Sequence, residues 1–136
     1  MLDAPYAQIR TRHPLETAPQ PALRELERIR SQRKRIGVAC SGGADSVFLL
    51  RWLLAHFPDL RDCLVALHYN HRARGRESDG DEAFARELAE RTGVAFRSKA
   101  AHACDSRASE GQLRALRIAF FRDASREEDL AAIATA

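Results

Sequence analysis

Apolar positions along the chain fall into two kinds of segment. Short continuous runs at Ile36–Cys40, Cys63–His68, Val94–Phe96 and Leu130–Ala134 read as strands, because a parallel strand covered on both faces has no polar side to alternate with. Between them lie longer stretches of helical period. Leu23, Leu26 and Ile29 predict an amphipathic helix over Ala22–Lys34. The run from Val47 to Leu54, interrupted only by Arg51, predicts a helix from about Asp45 to His56, buried on most faces and ended by Pro58 and Asp59. Phe84, Ala85, Leu88 and Ala89 form the stripe of a third helix, opened by a Ser78–Asp81 capping box and closed by Gly93. After a loop expected over Lys99–Ala108, Leu113, Leu116, Phe120 and Phe121 mark the buried face of a fourth, capped by Ser109 and Gln112 and ending near Ala124.

Strands alternating with helices predict the α/β class: a parallel sheet with helices on both faces, its first strand central by right-handed crossover. Residues 1–21 hold four of the five prolines and no sustained period, so they read as an extended leader to a domain over 22–136. Four strands make an incomplete sheet of this kind. The stop at Ile133–Ala136 reads as a chain cut inside a domain.

The first strand breaks directly into Ser41-Gly42-Gly43-Ala44-Asp45-Ser46 and then a helix. That order aims backbone N–H groups and a helix N-terminus at one point, which is how proteins hold phosphate. The two glycines permit close backbone approach, and Ser41 and Ser46 supply hydroxyl donors. No lysine stands here, as a Walker A loop requires, and adjacent glycines do not make the dinucleotide fingerprint. Asp45 is the informative residue. A carboxylate in a phosphate loop repels its ligand unless a cation lies between them, which points to Mg²⁺ on a pyrophosphate. The bland alternative is a tight turn with Asp45 as helix N-cap. A second polar loop, Tyr69–Ser78, leaves the C-terminal end of the second strand. In open α/β sheets that end faces the same crevice.

Composition narrows the class further. A chain of 136 residues, 45% hydrophobic and 30% charged, is an ordinary globular protein with one core. No apolar run approaches the roughly 18 residues of a membrane span, and the N-terminus has no signal-peptide core. Cys40, Cys63 and Cys104 fit neither a disulfide framework nor a zinc site, and reduced cytoplasmic thiols account for them. The net charge of +3 comes from residues 1–35, which carry eight basic and four acidic groups against fourteen and fifteen in the remainder. Such an end suits an RNA backbone or plain solvent.

Ser-Gly-Gly-x-Asp-Ser after an apolar strand resembles the PP-loop, or N-type ATP pyrophosphatase, superfamily, with its Rossmann-type, adenine nucleotide alpha-hydrolase-like fold. Several segments narrow the resemblance to the tRNA(Ile)-lysidine synthetases. These are His68-Tyr69-Asn70-His71-Arg72-Ala73-Arg74 with Ser78 opening the next helix, the Glu110, Arg114, Arg117 helix, and the strand ending Ile133-Ala134-Thr135-Ala136. The likeness covers 22–136. Ile118 stands where the family has tyrosine, and the family's histidine–acidic segment and tRNA-binding regions are absent.

The resemblance implies a ligase. ATP lies on Ser41, Gly42, Gly43, Ala44, Asp45 and Ser46, with His68, Asn70, His71 and Arg74 also at the nucleotide and Mg²⁺ on Asp45. The wobble cytidine of a CAU-anticodon tRNA(Ile) is adenylated, and free L-lysine displaces AMP to give lysidine, pyrophosphate having left first. Asp45, Arg114 and Arg117 are the catalytic candidates; each arginine reads equally well as a surface salt-bridge former, and His68 as a packed strand-end histidine. Cys40 reads as inert packing. The resemblance leaves a homodimer of the intact protein open and implies that this chain alone does not turn over. Rival readings are a PP-loop tRNA thiolase, a non-catalytic nucleotide-binding module, or an inactive fragment.

Overall fold

The structure, a computed structural model, describes residues 9, 12, 14–72, 75–102 and 108–136. Four strands, β1 (Arg35–Ala39), β2 (Leu64–Asn70), β3 (Ala95–Ala100) and β4 (Leu130–Ala134), form one parallel sheet in the order β3-β2-β1-β4. Among the described residues, four α-helices with defined bounds connect or flank them: α1 (Gln20–Ser31), α2 (Ala44–His56), α3 (Arg76–Thr92) and α4 (Glu110–Glu127). The expected α/β class and the inner position of β1 are both found.

Strand alternation divides the core in two. Ile36, Val38, Cys40, Leu64 and Ala66 pack with Leu50, Leu53 and Leu54 of α2 and with Ala85, Leu88 and Ala89 of α3. Val65, Leu67, Tyr69 and Leu130 face the other way, onto Phe120 and Ala124 of α4. The chain runs β1 to β2 to β3 in one direction, which keeps α2 and α3 on one face. The return from β3 to β4 carries α4 to the opposite face. Gly37 of β1 leaves the room on the α4 side: a Cβ there would stand 2.8 Å from Leu67 Cδ1 and 2.9 Å from Leu130 Cδ1.

Several expectations are corrected. α1 begins at Gln20, with Pro21 in its first turn, where a missing N–H costs no helical bond. A 3₁₀ turn at Leu15–Thr17 precedes it, so the described end of the leader is partly helical. β2 continues two residues past His68, so Tyr69 and Asn70 belong to the strand and not to the loop. β3 runs to Ala100, in register with β2 up to Asn70↔Ala100; Arg97 and Lys99 hid it in the sequence, and an edge strand tolerates such charges. The Ser78–Asp81 box does not form. α3 starts at Arg76 with Gly75 as an N-cap lacking any side-chain bond, and its first turns are anchored from outside, by Asn70. Phe84 is 45% exposed and Phe48 39% exposed, so neither helix is apolar inward at every expected position. The Ser109–Gln112 capping box is present in both directions, and Gly93 ends α3 in the left-handed conformation.

Candidate functional site

The turn after β1 is held tightly at its base. Cys40 N–H donates to Leu67 O at 2.8 Å, and Cys40 O accepts from His68 Nδ1 at 2.6 Å. The chain then turns through Gly42, whose φ of +90° favours glycine. A Cβ at Gly42 would also lie 3.1 Å from Asp81 Cβ on α3, so a side chain here would have to push on that helix as well as adopt a disfavoured φ. Gly43 is the N-cap of α2 and offers no side chain to cap it. Asp45 is therefore not the cap; it is an exposed residue of the first turn, where a carboxylate also suits the helix dipole.

The hydroxyls close on the turn itself. Ser46 Oγ donates to Gly43 O at 2.9 Å, and Ser41 Oγ accepts from Gly43 N–H at 3.3 Å. With the Ser46 proton so placed, the 3.3 Å Ser41–Ser46 contact makes Ser41 the donor. The first intrahelical bond is Val47 N–H to Gly43 O, at 3.2 Å, so the N–H groups of Ala44, Asp45 and Ser46 have no acceptor within the helix. An uncapped helix start and three first-turn N–H groups, with the exposed Ser41 hydroxyl beside them, suit an anion with several oxygens.

The end of β2 supplies the neighbouring wall. Buried Asn70, 2% exposed, donates Nδ2 to Asp79 Oδ1 at 2.9 Å and to Glu82 Oε2 at 3.0 Å, while its Oδ1 accepts from Arg72 N–H at 2.9 Å. The amide is thus committed to a latch that ties the start of α3 to the sheet, and Asp81 of the same helix is the residue against Gly42. Hydrogen bonding from Asn70 holds the Glu82 carboxyl below the ordinary carboxylate range against the opposing effect of burial, with help from Ser98, His68 and Arg86. His68 is also buried. Its Nδ1 donates to Cys40 O, and its Nε2 has no hydrogen-bond partner among the described residues.

Ser41 to Ser46, His68 and Asn70 therefore gather at the C-terminal ends of β1 and β2. His71 packs edge-on to Tyr69, ring centroids 5.1 Å apart. Arg74 and Cys104 lie outside the described residues. Arg114 and Arg117 are exposed on α4, which covers the opposite face of the sheet, and no contact joins them to the turn among the described residues. Sequence reasoning casts Asp81 only as half of a capping box and leaves Asp79 and Glu82 unmarked; the signal for them was the acidic run directly after the arginine loop. Among the described residues no three His, Cys, Asp or Glu side chains come together as a metal site. The residues present fit Mg²⁺ only in its common mode, one carboxylate with phosphate oxygens and water completing the shell. Burial pushes the Cys40 thiol up to about 11, so it is not a nucleophile at neutral pH. No described helix is long and apolar enough to cross a membrane.

The sequence profile of the PP-loop domain matches residues 15–136. A protein named tRNA(Ile)-lysidine synthase from Streptococcus thermophilus (strain CNRZ 1066) is 38% identical over 106 residues, covering 78% of this chain and 24% of the relative. Proteins of the same name from Parabacteroides distasonis and Geobacter sulfurreducens are 47% identical over 72 residues and 45% over 65. They cover 53% and 48% of this chain, and 16% and 14% of themselves. The chain thus spans about a quarter, or less, of the length of these curated relatives.

Proposed function

The chain belongs to the PP-loop domain family, and from that we propose that it forms the ATP-binding part of a tRNA(Ile)-lysidine synthase. In this reading the triphosphate lies on Ser41 to Ser46, with the first-turn N–H groups of α2 on its oxygens and Asp45 holding Mg²⁺ against the pyrophosphate. The metal supplies charge neutralisation for the departing pyrophosphate. The 2-carbonyl oxygen of the wobble cytidine in a CAU-anticodon tRNA(Ile) attacks the α-phosphorus, and free lysine then displaces AMP. His68 and His71 line the nucleotide side, Asn70 acts through the latch, and Arg74, Arg114 and Arg117 meet phosphates. On its own the chain binds nucleotide without turnover.

The observation that carries this reading is the uncapped α2 N-terminus, with Gly42 in the left-handed region and Asp45 in the first turn. Calorimetric titration of the chain with ATP tests it. Asp45→Ala is expected to weaken binding at least tenfold with Mg²⁺ present and to leave it equal or stronger in EDTA, where the unbridged carboxylate only repels the phosphates. Equal binding by both proteins in Mg²⁺ would favour a nucleotide-sensing module. For the reaction, pyrophosphate release is measured on the protein at the length of its relatives. Release requiring lysine and the CAU-anticodon tRNA together supports lysidine synthesis, and a thiolated tRNA product refutes it.

A further inference from the structure

Some arginines of the described residues are paired and others are not, and the unpaired ones, Arg24 and Arg61 among them, are not confined to one element. Those at 28, 30, 35, 86, 91 and 97 are paired with carboxylates. On α4, Arg114, Arg117, Arg122 and Arg126 are exposed and without an ion pair among the described residues. Glu110 and Asp123 stand four and three positions from Arg114 and Arg126, yet neither closes on them. Phe120 and Ala124 fix the inward face of the helix. At 3.6 residues per turn, Arg114, Ile118, Arg122 and Arg126 then follow one another along the outward face, spanning about 18 Å. Ile118 in their midst is 40% exposed, an apolar seat between guanidinium groups. The N-terminus of α4 lies at the sheet edge that carries the phosphate turn, because it follows the C-terminal end of β3. The line of arginines therefore runs toward that edge.

Resting on the reading of an RNA substrate, we propose that Arg122 and Arg126 extend this line into a track for the tRNA sugar–phosphate backbone, with Ile118 against ribose. Unpaired guanidinium forks, Arg122 and Arg126 one turn apart and Arg114 two turns before them, match phosphate by charge and by fork geometry. Contacts of this kind position RNA without reading its sequence.

The test is the double charge reversal Arg122→Glu with Arg126→Glu in this chain, set against Arg24→Glu with Arg61→Glu, an equal charge change at exposed residues elsewhere. Filter binding is measured with two unmodified tRNA transcripts, one with a CAU anticodon and one without. The α4 pair is expected to lose at least tenfold affinity for both transcripts. Freeing two phosphates from their arginines lowers the slope of log affinity against log salt by about 1.4 to 1.8. Mg²⁺–ATP binding is expected to be unchanged. Arg122→Gln with Arg126→Gln gives the same slope change without new repulsion, which covers the case in which the reversal unfolds the helix. Equal loss in the control pair, an unchanged slope in both α4 variants, or no RNA binding by the unsubstituted chain overturns the track. Lysine-dependent pyrophosphate release is read separately. If release occurs and the track variants bind normally, the track alone fails; if it does not occur and those variants still weaken RNA binding, lysidine synthesis alone fails.

Discussion

The two edges of the sheet solve the same problem in opposite ways. At the N-terminal ends of the strands, charge meets charge. Glu128 bonds both Arg35 and Arg97, Arg97 also takes Glu127, and Arg30 reaches Asp59 with Nε to Oδ2 at 2.6 Å. At the C-terminal ends, the carboxylates of Asp79 and Glu82 share one neutral amide, and a helix start is left uncapped. Matched charges close an edge. Negative groups held chiefly by a neutral donor, with Arg86 reaching Glu82 only at 3.7 Å, beside free N–H groups, leave one poised for a ligand. The sharpest break of this contrast is Asn70→Asp, which brings three carboxyl groups together with no donor among them at neutral pH. It is expected to cost about 3 kcal/mol, read as a lowered denaturant midpoint. Part of the loss should return on acidification, when a protonated carboxyl can donate one hydrogen again. A variant as stable as the parent at pH 7 would show that the latch holds nothing.

Gly42→Ala probes the same edge from the turn. The left-handed φ and the 3.1 Å approach to Asp81 act together, and the expected cost is about 1–3 kcal/mol. ATP affinity is expected to fall at least tenfold, because the turn must move where the phosphates lie. Gly93→Ala is the comparison. It also carries a left-handed φ, but its Cβ would meet only the flexible Arg61 side chain, so it should lose stability and keep ATP affinity. Equal ATP binding by the two variants would remove the turn from the site.

Much of this was legible in the sequence. The apolar runs at 36–40 and 130–134 mark β1, which ends one residue before Cys40, and β4, because strands packed on helices favour apolar residues. The phosphate turn stands out because two adjacent glycines and an aspartate, bracketed by serines, fall between an apolar strand and a helix so apolar. The latch was not legible. Asn70 looked like a ligand group because its partners, Asp79 and Glu82, come from a helix whose start the Ser78 pattern misplaced. The arginines show the same limit: spacing put Arg114 and Arg117 on one helix, but only the crossover reveals that α4 covers the face away from α2 and α3.

Acid titration sharpens the contrast at a smaller scale. Asn70, chiefly, depresses the Glu82 pKa from its ordinary 4.5. A depressed carboxyl contributes stability that is fully present above the unfolded value and is lost as pH falls through the folded one. The stability difference between the parent and Glu82→Gln should therefore be constant above about pH 5, near 1 kcal/mol, and shrink on acidification. Urea midpoints from neutral to acid pH measure it. A difference indifferent to pH would mean that Glu82 acts by shape alone.

The opposite edge should respond least. Arg97→Gln removes the bonds to Glu127 and Glu128, but Glu128 keeps Arg35 and Glu127 is exposed to water. Exposed pairs of this kind contribute about 0–1 kcal/mol each and weaken with salt. The expected loss is below about 1 kcal/mol at low ionic strength and smaller still in salt, with ATP binding untouched. Urea midpoints at two salt concentrations, with an ATP titration beside them, check both halves. If Arg97→Gln cost as much as Asn70→Asp, the charged edge would be as indispensable as the latch. If it altered ATP affinity, the two ends of the sheet would be coupled through β3, whose Ser98 stands between Arg97 and the Glu82 carboxylate that Asn70 holds.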